Sequence, residues 1–412
     1  MDAMSRPFDV ETIRRDFTIL GREVYGKPLV YLDNAASAQK PEAVIEAMNR
    51  LMREDYANVH RGLHYLANAS TEAYEAARES ARRFLNAAHL EEIIFTRSST
   101  GALNTVASSL GRHLHIQEGD EIILSILEHH SNIVPWHYWR ERHGAVIKWA
   151  PVDEDGNFLV DAFEKLITPR TKVVALTHMS NAIGTILPIA EIAAMLKDYG
   201  IPLVVDGSQG AVHLPVDVQA LGCDFYCFTG HKTYGPTGSG ILWGKKEWLD
   251  KLPPYEGGGE MIVTVSEDAV TYNDAPHRFE SGTPAIVEAV GLGAALDYMM
   301  ALGRENIAAH EAALRDYAMQ RLGEMNSIRI FGKAKDKGAI VAFEMKGAHA
   351  HDVATVIDRS GVAVRAGTHC AMPLLARYGV TSTCRASFGL YNTLEEVDRL
   401  VEALRKAETL FS

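Results

Sequence analysis

The stretch VVDGSQGAVHLPVDVQALGCDFYCFTGHKTYGPTGSGILWG, residues 204–244, decides the architecture. It contains apolar runs that end in polar or glycine-rich turns: VVD closes on Asp206, FYCFTG leads into His231 and Lys232, and GILWG follows a glycine-rich loop. Near-continuous apolar runs of this kind mark strands buried on both faces. In open α/β sheets, ligands gather beyond the carboxyl ends of the strands. Two successive strand ends therefore present an acid, Asp206, and a lysine, Lys232, to one cleft, with Gln209 close behind the acid.

The same texture continues on both sides. EEIIFT (91–96), DEIILS (120–125), AVIKWA (145–150) and KVVALTH (172–178) read as further strands. Intervening segments such as PIAEIAAMLKDYG (188–200) have helical periodicity and stop at glycine. Alternation of this kind predicts an α/β fold with a mostly parallel, seven-stranded sheet covered by helices. Past about residue 285 the pattern changes to long helices and then a short α+β tail. The expected division is an N-terminal arm over 1–22 that packs with the small domain, a large domain over 23–290 and a small domain over 291–412. The segment PPYEGGGEMIV (253–263) is read as a glycine-rich hairpin.

The chain has 412 residues, enough for two domains, and a formal net charge of −12. That balance argues against general affinity for nucleic acid or an anionic membrane. No run of eighteen or more apolar residues and no signal-peptide pattern is seen, so a cytoplasmic enzyme is expected. The four cysteines, Cys223, Cys227, Cys370 and Cys384, do not read as a disulfide framework. No metal site is expected either. His129 and His130 lack further ligands at zinc-like spacing, and Arg61 stands where an HExxH pattern on His60 and His64 needs Glu. Walker and dinucleotide fingerprints fail at Ser239 and Leu296.

Several residue groups carry chemistry. A lysine amine holds an aldehyde cofactor as a Schiff base, and a carboxylate beside a pyridine nitrogen keeps that ring protonated and electron-accepting. RSSTGALNTVASSL places Ser99, Thr100 and Gly101 at a helix start, where an anion is held; Thr229 and His231 add donors. His129, after a strand end, suits stacking on a flat ring. In the tail, VAVRAGTHCAMP puts Arg365, His369 and Cys370 just past a strand, and CRAS puts Arg385 in the next one. A thiol near cations ionises more readily, and the thiolate is the reactive form. Arg385 offers a planar fork for a carboxylate. Cys384 fits inert packing.

Taken together, YLDNAASAQKP, NVHRGLHYLA, EHHSNIVPWH, THMSNAIGT, FTGHKTYGPTGSGIL, RFESGTP, VRAGTHCAMP and CRASFGLYNT resemble the cysteine desulfurases of the class-V aminotransferase family, and within them the group-II, SufS-type branch. The resemblance implies a fold type I enzyme dependent on pyridoxal 5′-phosphate. Lys232 would form the Schiff base and Asp206 would pair with the ring nitrogen. Gln209 would bond the ring hydroxyl, while His129 would stack on the ring and assist catalysis. Ser99, Thr100, Thr229 and His231 would hold the phosphate, with Thr283 reaching that of a partner subunit in a homodimer. Asn181, Arg365, Arg385 and His60 would bind substrate, Asn181 contacting the cofactor as well, and Cys370 would attack the sulfur of L-cysteine. Selenocysteine is a second expected substrate. The acceptor would be of SufE or SufU type; His351 matches a histidine of relatives that exchange ligands with a zinc-binding scaffold. Alternatives are another class-V chemistry (transamination or kynurenine cleavage) and a non-catalytic sulfur-transfer scaffold.

Overall fold

A computed structural model describes residues 8–411; positions 1–7 of the expected arm lie outside the described residues. The seven strands expected from the sequence all form: β1 (Ile93–Thr96), β2 (Glu121–Ser125), β3 (Val146–Ala150), β4 (Thr171–Thr177), β5 (Leu203–Asp206), β6 (Phe225–Thr229) and β7 (Gly240–Gly244). They pair in the order β1-β7-β6-β5-β4-β2-β3. Only β7 runs against its neighbours. Every residue of β2, β5, β6 and β7 is buried, as their unbroken apolar runs require in a sheet covered on both faces.

Helix α1 (Val10–Arg15) is capped by Asp9, whose carboxylate accepts from the N–H groups of Glu11 and Thr12. Beyond it, Phe17 packs edge-on against Tyr391 and Tyr298, while Arg14 pairs with Glu396 at 3.0 Å. The arm thus touches the C-terminal segment and also joins the main core through Ile13, Phe17 and Leu20.

The expected division at 290/291 needs correction, because helix α4 (Ile286–Leu302) runs through it unbroken. This helix lies close against α2 (Tyr65–Leu85). A Cβ on Gly293 would stand 2.7 Å from that of Ala77, so only glycine permits the approach. The change of core falls later, inside α5 (Arg304–Gly323): Ile307 belongs to the core of the large sheet, whereas Leu314, Ala318 and Leu322 belong to the second core. That second core packs beside a four-stranded antiparallel sheet in the order β10 (Ile328–Phe331), β11 (Ile340–Met345), β13 (Thr383–Ser387), β12 (Arg365–Gly367). It also takes Val30 and Leu32, because Val30–Tyr31 pairs in parallel with Val362–Ala363. Residues near 30, expected in the large domain, therefore pack with the C-terminal unit. The glycine-rich segment is a bent approach rather than the hairpin itself; the paired strands are β8 (Ile262–Val265) and β9 (Val270–Tyr272). Among the described residues, no single helix is long and apolar enough to cross a membrane.

Candidate active site

A cavity of about 410 Å³ opens at the carboxyl ends of β4, β5 and β6. Asp206, the last residue of β5, is buried there. Its Oδ1 accepts from the Ser208 N–H at 3.0 Å and the Ser208 hydroxyl at 2.6 Å. Ser99 Oγ lies 3.5 Å from the same oxygen. All three of these contacts fall on Oδ1, so that oxygen is the fixed one of the two.

Lys232 follows β6 by three residues and lines the same cavity. The residue is half-exposed to the cavity, yet its amine lies deep in the protein. Burial lowers its pKa to about 8, against a raising effect of Asp206. Cys370 lines the same cavity. His129 lies past β2. Its Nδ1 accepts from the Ser131 N–H at 3.0 Å, which leaves the ring proton on Nε2. Burial, then Lys232, pushes its pKa down to about 4, so this imidazole is neutral at physiological pH.

Phosphate-type ligands need hydroxyls and free N–H groups. Helix α3 (Ser99–His113) starts at the cavity wall and is capped by Ser98, which accepts from the Gly101 N–H. Ser99 Oγ leans to Ser208 Oγ at 2.8 Å, and Thr100 Oγ1 meets Ser131 Oγ at 2.7 Å. Thr229 and His231 line the wall with them. Gln209 completes this side; its Nε2 donates to the Ala35 carbonyl at 2.9 Å.

The opposite wall comes from the second unit. Strands β12 and β13 pair with Arg365 opposite Arg385, and the turn past β12 carries Cys370. Both His369 and Cys370 have φ near +50°, a region costly for side-chain-bearing residues. Cys370 is exposed, whereas the other three cysteines are buried. Asn181 Nδ2 donates to the His369 carbonyl at 2.6 Å, and the His130 N–H donates to that of Cys370 at 2.8 Å. Burial, then Arg385, lowers the His369 pKa to about 3, so this imidazole beside the thiol is neutral. Cations near the thiol are the arginines, and Cys370 acts on Arg385 electrostatically.

Arg385 is buried. One terminal nitrogen donates to the Asn181 carbonyl at 2.8 Å and the other lies 3.4 Å from Asp33 Oδ1, while its buried Nε has no partner. Asp33 also pairs with Arg365 at 2.8 Å. Sequence reading missed Asp33 and Ser208, although both lie within quoted motifs; what was absent was a reason to choose them before their partners were brought near. Two expected residues stand elsewhere. His60 Nε2 holds Glu75 at 3.0 Å with its ring edge-on to Tyr74 and His277. It therefore does not reach this chain's own cavity. Thr283 lines a separate cavity beside Arg97 and Glu256.

A buried carboxylate, a lysine of lowered pKa, hydroxyls at a helix start and an arginine with an orphaned buried N–H fit a phosphorylated pyridine aldehyde and an amino-acid carboxylate. The profile of the aminotransferase class-V family matches residues 30–400, and the chain belongs to that family. Within it, the chain is 49% identical to a probable cysteine desulfurase of Halalkalibacterium halodurans, over 97% of this chain and 98% of that protein. It is likewise 49% identical to a cysteine desulfurase of Klebsiella pneumoniae, covering 98% and 99% of the two. Among solved structures, the cysteine desulfurase CsdA of Escherichia coli, in an S-sulfonic acid form, superposes with a TM-score of 0.91 at 40% identity, over 99% of this chain and 100% of that one. The apo cysteine desulfurase of Thermococcus onnurineus gives 0.92 at 36% identity, over 99% of each chain.

Proposed function

We propose that this chain is a pyridoxal-phosphate-dependent cysteine desulfurase that converts L-cysteine to L-alanine and carries the released sulfur on Cys370. One observation carries the residue assignment: an exposed thiol on a strained turn faces the same cavity as Lys232 and Asp206. Bound at Lys232, the cofactor supplies an electron sink for the substrate's α-carbon.

The chain's own residues do the rest. Asp206 would keep the ring nitrogen protonated, as an anion beside a pyridinium does. His129 would hold the ring from the cavity wall, and its low pKa would keep a second positive charge away. The hydroxyls of Ser99, Thr100 and Thr229, with His231, take the phosphate. Arg385 binds the substrate carboxylate, and Asn181 orients the substrate beside it. The Lys232 amine would take the substrate's α-proton; a pKa near 8 leaves a usable neutral fraction at neutral pH. The Cys370 thiolate then attacks the substrate sulfur. An S–S bond would form and the C–S bond break, its electron pair going to the substrate carbon, which takes a proton to become the methyl group of L-alanine; a persulfide would remain on Cys370 for an acceptor protein.

The acceptor is of SufE or SufU type and the sulfur serves iron–sulfur cluster assembly in the cytoplasm. L-selenocysteine is a second substrate, since selenide leaves more easily and depends less on Cys370. The working unit is a homodimer. Exposed Leu63 and Tyr65, and Val263 and Val265 of the hairpin, are apolar groups that a second copy would cover, and Thr283 would then serve the partner's phosphate. Purified protein should be yellow, with a band near ~420 nm. Lys232→Ala should abolish sulfide release; turnover retained by that variant would remove Lys232 from the mechanism.

A further inference from the structure

Behind Gln209, a line of buried polar groups runs away from the cavity. Gln209 Oε1 lies 3.2 Å from His213 Nε2, and His213 Nδ1 lies 2.6 Å from Glu311 Oε2. All three side chains are buried. Glu311 comes from α5, the helix that passes from one core to the other, so the line ties the cavity to the second unit. Other polar groups at this line are the Tyr234 hydroxyl, 3.4 Å from Glu311 Oε1, and Arg304, whose guanidinium donates to the Ala211 carbonyl of the same turn at 3.2 Å.

The bond from Gln209 to Ala35 shows which way the amide is turned. A carbonyl oxygen only accepts, so the amide must turn its NH₂ toward Ala35 and its oxygen toward His213. His213 Nε2 must then carry a proton. On the other side of the ring, Glu311 Oε2 holds Nδ1 at 2.6 Å. Were the amide reversed, Gln209 would set one carbonyl oxygen against another and offer the cavity no N–H.

We infer that His213, held by Glu311, is a positioning residue that locks the Gln209 amide so that its remaining N–H points to the cofactor's ring hydroxyl. This rests on the cofactor reading given above. A donor to that oxygen favours its ionised form, so losing the donor raises the pH at which the cofactor's visible band converts.

Two double variants separate this from a packing role. His213→Leu with Glu311→Leu removes the line without leaving a buried charge unpaired. His213→Gln with Glu311→Gln keeps a donor for Gln209 Oε1. In pH titrations of the holoenzyme's absorption, the leucine pair should move the midpoint upward by about one unit, and the glutamine pair should stay close to wild type. With Gln209→Ala already in place, the leucine pair should shift nothing further, since coupled effects do not add. An unmoved midpoint in the leucine pair, equal damage in both pairs, or the same shift with and without Gln209 would each overturn the inference alone. A wild-type protein with no visible band would overturn the cofactor reading and this inference with it.

Discussion

The two walls of the cavity are built on opposite plans. Asp206, Thr229 and Thr177 end strands whose residues are almost wholly buried, and each sits in a web of hydrogen bonds. Cys370 sits on a turn between β12 and a short helix, exposed and at positive φ, tied to the large sheet by only a few hydrogen bonds. Groups whose task depends on a tuned charge state need burial and fixed neighbours. A group that must meet substrate sulfur and then hand sulfur to another protein needs access and freedom to move. The contrast teaches that one site divides between a buried floor and an exposed turn.

The sharpest way to break that contrast is Cys370→Ala. Sulfide release from cysteine should fall by about a thousandfold or more, while the visible band, a property of the floor, stays. If the variant desulfurates cysteine normally, the loop is not where the chemistry ends. The loss with selenocysteine should be smaller.

Next in size is a pH effect confined to the floor. Burial lowers the Lys232 pKa from 10.5 to about 8. The neutral amine, which attacks an aldehyde, therefore dominates above pH 8 and shrinks below it. Reloading of cofactor-free protein with pyridoxal phosphate should speed up by about tenfold from pH 7 to pH 9 and then level off. A rate still climbing steeply at pH 10 would mean that the amine behaves as an ordinary surface lysine.

Asn181→Ala acts on the tie between the walls. It removes the 2.6 Å bond to the His369 carbonyl but leaves the Asn181 backbone carbonyl that Arg385 uses. One hydrogen bond is worth about 1 kcal/mol, roughly fivefold. The expected result is that much loss in the sulfur-release step with an unmoved visible band; a changed band would show that Asn181 belongs to the floor instead.

What could be read from sequence follows the same division. The floor was legible because strand ends are marked by apolar runs that stop at a polar residue, and Asp206, Lys232 and His129 all lie where such runs stop. The seven strands were legible for the same reason. The loop was legible only as a motif, and the burial that keeps His369 neutral cannot be seen along one short segment. Asp33 and Glu311 lie far in sequence from the groups they hold, Arg385 and His213, so local patterning carries no trace of either pair. The boundary at 290 falls inside α4, which buries Ile286, Leu292, Leu296 and Met299 with the large unit; a compositional change was mistaken for a change of partner.

The smallest expected effect tests the contrast within a single residue type. Cys384 lies in β13, is buried, and donates its S–H to the Ala350 carbonyl at 3.2 Å. Burial pushes its thiol up to about 12, so at pH 8 it holds almost no thiolate and offers no surface to a reagent. Iodoacetamide should therefore modify Cys370 in the folded protein and spare Cys384. Cys384→Ala should leave sulfide release unchanged and lower stability by about 1 kcal/mol, through a lost weak hydrogen bond and a small cavity, which thermal unfolding would read as a modest fall in Tm. Alkylation of Cys384 at a rate near that of Cys370 would show that the second unit opens as a whole, and the freedom assigned to one turn would then belong to the entire wall.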